Sequence, residues 1–175
     1  MRICWRRIKL AQKLTLESFE KTARERFSEN KKYLSKLKKK APAKLDSVMQ
    51  QLHDAEFKRT DCLTCANCCK TTGPLFTKSD VERIAKVLRL KPAAFEQQYL
   101  RTDEDGDLVL QQVPCVFLDA ENYCTIYEHR PKACREYPHT DRPKFHQITE
   151  LTAQNTLVCP ATLRIVEALK QKLPL

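Results

Sequence analysis

The sequence is poor in the features that mark several large protein classes. It has two glycines in 175 residues, and nothing in it resembles a Rossmann-type nucleotide fingerprint or a radical cysteine triad of the usual spacing. No Ser/His/Asp arrangement or paired-carboxylate signature stands out. No stretch approaches transmembrane length, and the N-terminus lacks the unbroken apolar region and the cleavage site of a secretory signal. We therefore expect a soluble, cytoplasmic protein, and the sequence leaves open whether it is an enzyme.

Positive charge is concentrated in the first third of the chain. Residues 1–60 carry 17 Lys and Arg against 7 Asp and Glu, a net charge of +10, whereas residues 61–175 carry 15 of each. The lysine-rich run at residues 31–40 fits a solvated face near a helix C-terminus, and a surface for an acidic protein partner is the alternative. Nucleic acid is not the expected partner, because no aromatic interleaving or known nucleic-acid motif accompanies the lysines.

The first third of the chain is also predicted to be helical. Apolar residues recur at steps of three and four over residues 9–40, and again over residues 45–59 after Pro42. The short link predicts an antiparallel hairpin, unless one helix projects away. We therefore divide the chain into a basic helical hairpin extension, residues 1–60, and a cysteine-rich metal-binding domain, residues 61–175.

Further helix starts are marked by local signals. Thr77 has the pattern of an N-cap, and Pro92 and Pro160 suit the first turns of two more helices. Residues 131–135 are predicted to form a single helical turn. Residues 145–158 are ambiguous between strand and helix.

Strand signals are short and few. Residues 108–110 and 115–118 are the best candidates. The acidic stretch 103–107 is predicted to be a hairpin turn, since it lacks the closing glutamate of a calcium loop. The predicted fold class is therefore α+β and mainly helical, with a small irregular cysteine-rich domain and short strands.

Cysteine is the residue that the sequence has in excess. Four of the nine cysteines fall within eight residues at C-x2-C-x2-C-C spacing, which favours a site for soft metal ions over core filling. In a reducing cytosol, thiolate ligands are expected rather than disulfides. Cys4 lies far from the others, and setting it aside leaves eight candidate metal ligands: Cys62, Cys65, Cys68, Cys69, Cys115, Cys124, Cys134 and Cys159.

The spacing of these cysteines leaves zinc and iron open. Eight thiolates suffice for two tetrahedral four-cysteine zinc sites, or for one iron–sulfur cluster with ligands to spare. The run C-x2-C-x2-C with a distant Cys159-Pro160 is similar to the bacterial ferredoxin pattern, although the spacing to a fourth cysteine differs. Adjacent side chains diverge in most backbone conformations, so Cys68 and Cys69 are expected to face different metals, unless one is a spare or bridging thiol.

Two arginines beside the candidate ligands could offset the negative charge of a four-cysteine site. Arg130 and Arg135 flank Cys134 and are candidate hydrogen-bond donors to thiolates, with ion pairs to Glu128 or Glu136 as the alternative. Aromatic residues between the later cysteines most simply supply an apolar wall for a small metal domain: Phe117, Tyr123 and Tyr127.

Several sequence blocks in a fixed order carry a family resemblance. The C-x2-C-x2-C-C run is followed by Pro114-Cys115-x-Phe117-Leu118, Cys124-x-Ile126-Tyr127, Arg130-Pro131-x-x-Cys134-Arg135-x-x-Pro138 and Cys159-Pro160. Over about residues 62–160 the chain closely resembles the bacterial CxxCxxCC family of zinc- or iron-chelating proteins, also called the YkgJ-like cysteine cluster family. The resemblance implies that the eight cysteines are the family's metal-binding set.

The sequence and the resemblance together lead to three functional hypotheses. The leading hypothesis is a metal-binding protein that holds zinc or iron. The iron would be bound either as an ion or within an iron–sulfur cluster. A branch of the family is similar to lysine N-methylases that act on flagellin, which implies an iron–sulfur enzyme as the alternative. The third is an interaction module in which residues 1–60 dock an acidic partner.

Overall fold

Helices dominate the chain. The computed structural model describes residues 16–175, so Cys4 and the start of the first predicted helix lie outside the described residues. The α-helices and strands are α1 (Leu16–Lys39), α2 (Leu45–Phe57), α3 (Cys62–Cys65), α4 (Asn67–Thr71), α5 (Lys78–Val87), α6 (Pro92–Tyr99), β1 (Leu100–Thr102), β2 (Leu108–Leu110), α7 (Lys132–Glu136), α8 (Thr149–Val158) and α9 (Pro160–Lys172). The predicted fold class, mainly helical with short strands, is confirmed. Across the described residues, no helix combines the length and apolarity needed to cross a membrane.

The two N-terminal helices pack against the two C-terminal helices. Helix α1 lies mainly along α8, α2 lies along α9, and α8 and α9 contact each other. Each fully buried leucine in such a core contributes about 1.5–3 kcal/mol. The bundle core consists of Tyr33, Leu34, Leu37, Leu45, Met49, Phe145, Ile148, Ala153, Ile165, Val166, Leu169 and Leu173. Helices α1 and α2 are therefore part of the folded body, and the division of the chain at residue 60 stays a prediction.

The ambiguous stretch 145–158 proves to be helical and supplies one side of this bundle. A 3-10 helix, Phe145–Ile148, leads directly into α8. Phe145 is fully buried, and its backbone N–H donates to Asp46 Oδ1 at 3.0 Å. This bond ties the start of the C-terminal helices to the first turn of α2.

A buried carboxylate joins α2 to α9 just ahead of the cysteine run. Glu56, 3 % exposed, accepts hydrogen bonds from Arg164 Nε at 2.6 Å, Thr60 Oγ1 at 2.8 Å and Arg59 Nε at 2.9 Å. Burial opposes ionisation, but these three donors hold the pKa of Glu56 below its usual value. The chain therefore enters the cysteine run from a fixed point on the bundle.

A second hydrophobic core forms beside the cysteine-bearing segments. Helices α5 and α6 and the hairpin surround three aromatic rings, of which Phe95 and Phe117 stack with centroids 6.3 Å apart. Strand β1 pairs antiparallel with β2, Leu100 opposite Leu110, and the predicted acidic turn joins them. The half-buried thiol-bearing residues Cys115 and Cys124 pack against this core.

The predicted strand at residues 115–118 is wrong. The Cys115 N–H donates to the carbonyl oxygen of Cys69 at 2.7 Å, and the Leu118 N–H donates back to Cys115 at 3.0 Å. These bonds form a turn, and Leu118 alone makes a β-bridge, with Cys124. The apolar pattern of these residues reflects the burial of Phe117, which a turn achieves as well as a strand.

The predicted N-cap at Thr77 is confirmed and links two elements. Thr77 Oγ1 accepts the Asp80 N–H at 3.1 Å, and the Asp80 carboxylate accepts the Thr77 N–H at 3.0 Å, which completes a capping box. Asp80 also accepts the backbone N–H of Lys132 at 3.1 Å. The N-terminus of α5 therefore fixes the start of α7, the helix that carries Cys134.

Candidate metal centre

The C-x2-C-x2-C-C run forms two short helical turns separated by one left-handed residue. Asp61 caps α3 by accepting the Leu63 N–H at 2.9 Å. Ala66, with φ of 49°, ends α3 and begins α4. The break changes the direction of the chain between the first pair of cysteines and the second pair.

The adjacent cysteines lie at the centre of the eight candidate ligands. Their Sγ atoms are 4.0 Å apart. The hydrogen bond with Cys69 and burial raise the pKa of the Cys68 thiol, whereas the same bond lowers the pKa of Cys69. The carbonyl of Cys69 holds the turn at Cys115. Cys68 and Cys69 consequently have different neighbours.

Four thiols form one neighbourhood, here called the first cysteine group: Cys62, Cys65, Cys68 and Cys159. Burial, then the charges of Cys159 and Cys65, raise the pKa of Cys62 to about 11. The charges of Cys69, Cys159 and Cys134 all act on Cys68, so this thiol interacts with cysteines outside the group as well. Tyr137 interacts electrostatically with all four of these sulfurs. A hydrogen bond from Asn67 Nδ2 to the Val158 carbonyl, 2.6 Å long, joins α4 to the residue before Cys159 and agrees with this grouping.

The other four thiols form the second cysteine group: Cys69, Cys115, Cys124 and Cys134. Burial, then the charges of Cys69, Cys115 and Cys124, raise the pKa of Cys134 to about 12. Burial and the charges of Cys69 and Cys124 raise the pKa of Cys115 to about 11, and the pKa of Cys124 is raised in the same way. The two groups therefore meet at Cys68 and Cys69.

Backbone N–H groups act on several of these thiols. The backbone of Phe117 lowers the pKa of Cys115, and that of Ile126 lowers the pKa of Cys124, although burial raises both values more strongly. These donors favour the thiolate and partly offset the burial that raises both pKa values. These N–H groups would thus help to stabilise the thiolate forms that metal binding requires.

The helix α9 provides the same kind of donor to the first group. Cys159 is the residue before its first turn. Burial raises the pKa of Cys159, while the N–H groups of Ala161 and Thr162 favour its thiolate. The positive end of the helix dipole acts in the same direction.

Arg130 lies within electrostatic range of both groups. Its guanidinium stacks 3.8 Å from the centroid of the Tyr127 ring, and its Nη1 donates to the Tyr127 carbonyl at 2.7 Å. Its charge opposes the raised pKa of Cys62, Cys124 and Cys134. Its side chain donates to a carbonyl oxygen and not to a sulfur, so the predicted hydrogen bond to a thiolate is not seen in the described part of the chain, and an offset to thiolate charge stays a prediction.

Arg135, the second predicted donor, has a different partner. Its Nη1 donates to the carbonyl oxygen of Arg130 at 2.6 Å. Glu136, named as an alternative partner, instead pairs with Lys132 at 3.6 Å. Arg135 therefore fixes the backbone position of Arg130.

The chemistry of the eight candidate ligands suits a soft metal, but their side chains are not arranged around a common point. All eight are free thiols, and thiolates are ligands for both zinc and iron–sulfur clusters. Within residues 16–175, however, no group of three or more His, Cys, Asp or Glu side chains is arranged so that it could hold a metal ion. Rotation about the Cα–Cβ bond of a cysteine moves its sulfur without moving the backbone.

Two residues that support the site carry no signal in the sequence. Asn67 donates from Nδ2 to the carbonyl oxygen of Val158 at 2.6 Å, which ties the start of α4 to the residue before Cys159. Tyr137 interacts with the first group, yet it occupies an unspecified position of the Arg130-to-Pro138 block. Both are ordinary residue types whose importance depends on contacts far apart in sequence.

Fold and site together define a mainly helical protein with a cysteine-rich domain whose thiol donors suit a soft metal. The model of the CxxCxxCC family, described as "Putative zinc- or iron-chelating domain", matches residues 61–160. The chain belongs to this family, as the resemblance predicted. A search of solved structures finds no match to the chain.

Proposed function

We propose that this chain is a metal-binding protein that holds zinc or iron through eight cysteine thiolates, four in the first cysteine group and four in the second. The observation that supports the proposal is a set of eight free cysteines in the region that the family model matches, with the sulfurs of Cys68 and Cys69 4.0 Å apart. Four thiolates are the ligand number of a closed zinc site and of an iron–sulfur cluster.

A metal bound by either group would join segments that are far apart in sequence. The first group would connect α3 and α4 to the start of α9, and the second would connect α4 to the turn at Cys115, to Cys124 and to α7. A structural zinc site can contribute on the order of 10 kcal/mol to folding. A bound metal would therefore stabilise the region between the two hydrophobic cores, where the chain forms only short, irregular elements.

Solvent reaches the two groups to different extents. As a residue Cys62 is exposed, although its thiol is partly buried, whereas the other seven cysteines are half-buried. Exchange of metal, or of a ligand on it, would therefore begin at the first group. This difference supports a closed structural role for the second group and an accessible role for the first.

The test is the metal content of protein produced without added metal and purified without oxygen, with its absorption spectrum. We expect stoichiometric zinc and no colour, or iron with acid-labile sulfide and broad visible absorption. A Cys4→Ser variant, which changes a thiol outside both groups, should match the wild type. Protein without stoichiometric metal and without a chromophore would overturn the proposal.

The exposed face of α1 supports a second proposal, an acidic protein partner for the basic region of residues 1–60. Lys31, Lys32 and Lys39 are exposed and make no ion pair with any residue in the range 16–175. Charge of one sign on a helix face attracts an oppositely charged surface, and the attraction weakens with salt. The opposite side of α1 is occupied by the bundle core.

Because α1 contributes to the core, the test for a partner is charge reversal rather than deletion. Co-purification from cell extract, followed by identification of the bound protein, should recover an acidic partner with the wild type. The triple variant Lys31→Glu, Lys32→Glu, Lys39→Glu should lose that partner and keep its metal. An unchanged set of bound proteins, or a basic partner, would refute the acidic-partner proposal.

A further inference from the structure

The hydroxyl of Tyr137 is a buried polar group without a hydrogen-bond partner among residues 16–175. Leaving a buried hydroxyl unpaired is unfavourable, typically by about 1–3 kcal/mol. Phenylalanine would fill the same volume without that cost. A tyrosine at this position therefore calls for an acceptor that the protein's own oxygen and nitrogen atoms do not supply.

The backbone places Tyr137 beside the first cysteine group. Tyr137 directly follows α7, and the next residue, Pro138, accepts a hydrogen bond from Asn155 Nδ2 at 3.3 Å. Asn155 lies in the last turns of α8, which ends immediately before Cys159. The Val158 carbonyl in turn accepts Asn67 Nδ2 at 2.6 Å. These two bonds bring the segments of Tyr137, Cys159 and the cysteine run together.

The electrostatics of the phenol agree with this placement. Burial raises the pKa of Tyr137, and the charges of Cys159, Cys68, Cys65 and Cys62 raise it further. A phenol is protonated at neutral pH and acts as a donor toward negatively charged sulfur.

We infer that the Tyr137 hydroxyl donates a hydrogen bond to a sulfur of the metal centre held by the first cysteine group. The inference rests on the proposed function, since the acceptor is a metal-bound sulfur. Hydrogen bonds to ligand sulfur disperse its negative charge, and they tune metal affinity or reduction potential. Tyr137 is in this view a positioning residue of the first group, whereas Arg130 acts on both groups.

The test compares Tyr137→Phe with Tyr123→Phe in the full chain. Tyr123 is half exposed, so its hydroxyl serves as the matched control. If the metal is zinc, competition with a chromophoric chelator should show one ion bound roughly 2- to 10-fold more weakly in Tyr137→Phe, with the other ion unchanged. If it is an iron–sulfur cluster, its reduction potential should move to a more negative value.

A separate readout distinguishes hydrogen bonding to the centre from a purely structural role. The metal-free Tyr137→Phe variant should unfold at the same urea concentration as metal-free wild type, or at a higher one, because an unpaired hydroxyl has been removed. Equal metal affinity and potential in Tyr137→Phe and wild type would overturn the inference alone. Wild type that binds no metal would instead remove the proposed function, and this inference with it.

Discussion

Zinc binding to the second cysteine group should release protons, because its thiols are protonated before metal arrives. Burial and neighbouring thiolates raise the pKa of Cys115 to about 11 and of Cys134 to about 12, and the pKa of Cys124 is also raised. A metal ligand must be the thiolate. At pH 7 each of these three thiols therefore loses about one proton on binding.

The fourth ligand of the second group, Cys69, sets the upper bound on the number of protons released. The pKa of Cys69 is lowered by the hydrogen bond with Cys68, so Cys69 releases less than one proton. Between three and four protons should leave for each zinc ion bound. Since each displaced proton changes the apparent affinity about tenfold per pH unit, affinity near pH 7 should rise roughly 10³- to 10⁴-fold per unit of pH. Metal is thus lost as the pH falls.

The assay is calorimetric titration of zinc into a Cys65→Ser, Cys159→Ser variant, in which only the second group is complete. The observed heat is compared in buffers of different ionisation enthalpy, and the slope of that relation is the number of protons released. A slope between three and four supports four thiol ligands. A slope of two or less would mean that fewer thiols bind the ion or that they are ionised beforehand, and it would refute the reasoning.

Three other predictions concern the residues that hold the site in place. Glu56→Ala removes the buried acceptor of the half-buried Arg164 guanidinium, which keeps only its bond to Thr60, and should lower the free energy of unfolding by about 1.5–3 kcal/mol in urea. Glu150→Ala, at an exposed ion pair, should have no measurable effect. Asp80→Ala removes the carboxylate that accepts the Thr77 N–H at the start of α5 and the Lys132 N–H at the start of α7, so zinc titration should show weaker binding at the second group alone. Asn67→Ala breaks the bond to Val158, and the same titration should show weaker binding at the first group alone; equal loss at both groups would contradict either of these two assignments.

Local chemistry explains why most helix starts could be predicted from the sequence. Pro92 and Pro160 stand at the first positions of α6 and α9, and Thr77 caps α5 through its own hydroxyl. Each signal acts within four residues, so no tertiary contact is needed to interpret it. The helical periodicity of residues 16–57 is of the same kind, because one face of each helix is buried.

Other features depend on contacts between distant residues. The turn at Cys115 is fixed by the carbonyl of Cys69, forty-six positions earlier, so the short apolar run there resembled a strand. That Cys68 and Cys69 face different metals stays a prediction from the geometry of adjacent residues. The sequence could not group the remaining six thiols, because their positions depend on the left-handed turn at Ala66 and on the tertiary position of α9.

The central claim, two four-thiolate groups in one chain, is tested most directly by counting metal in two double variants beside the wild type. Cys65→Ser with Cys159→Ser disables the first group, and Cys124→Ser with Cys134→Ser disables the second. Elemental analysis should show that each double variant keeps the metal of its intact group, and that the losses from the two variants together account for the wild-type content. Loss of all metal from both variants, or of none from either, would contradict the division of the eight thiols.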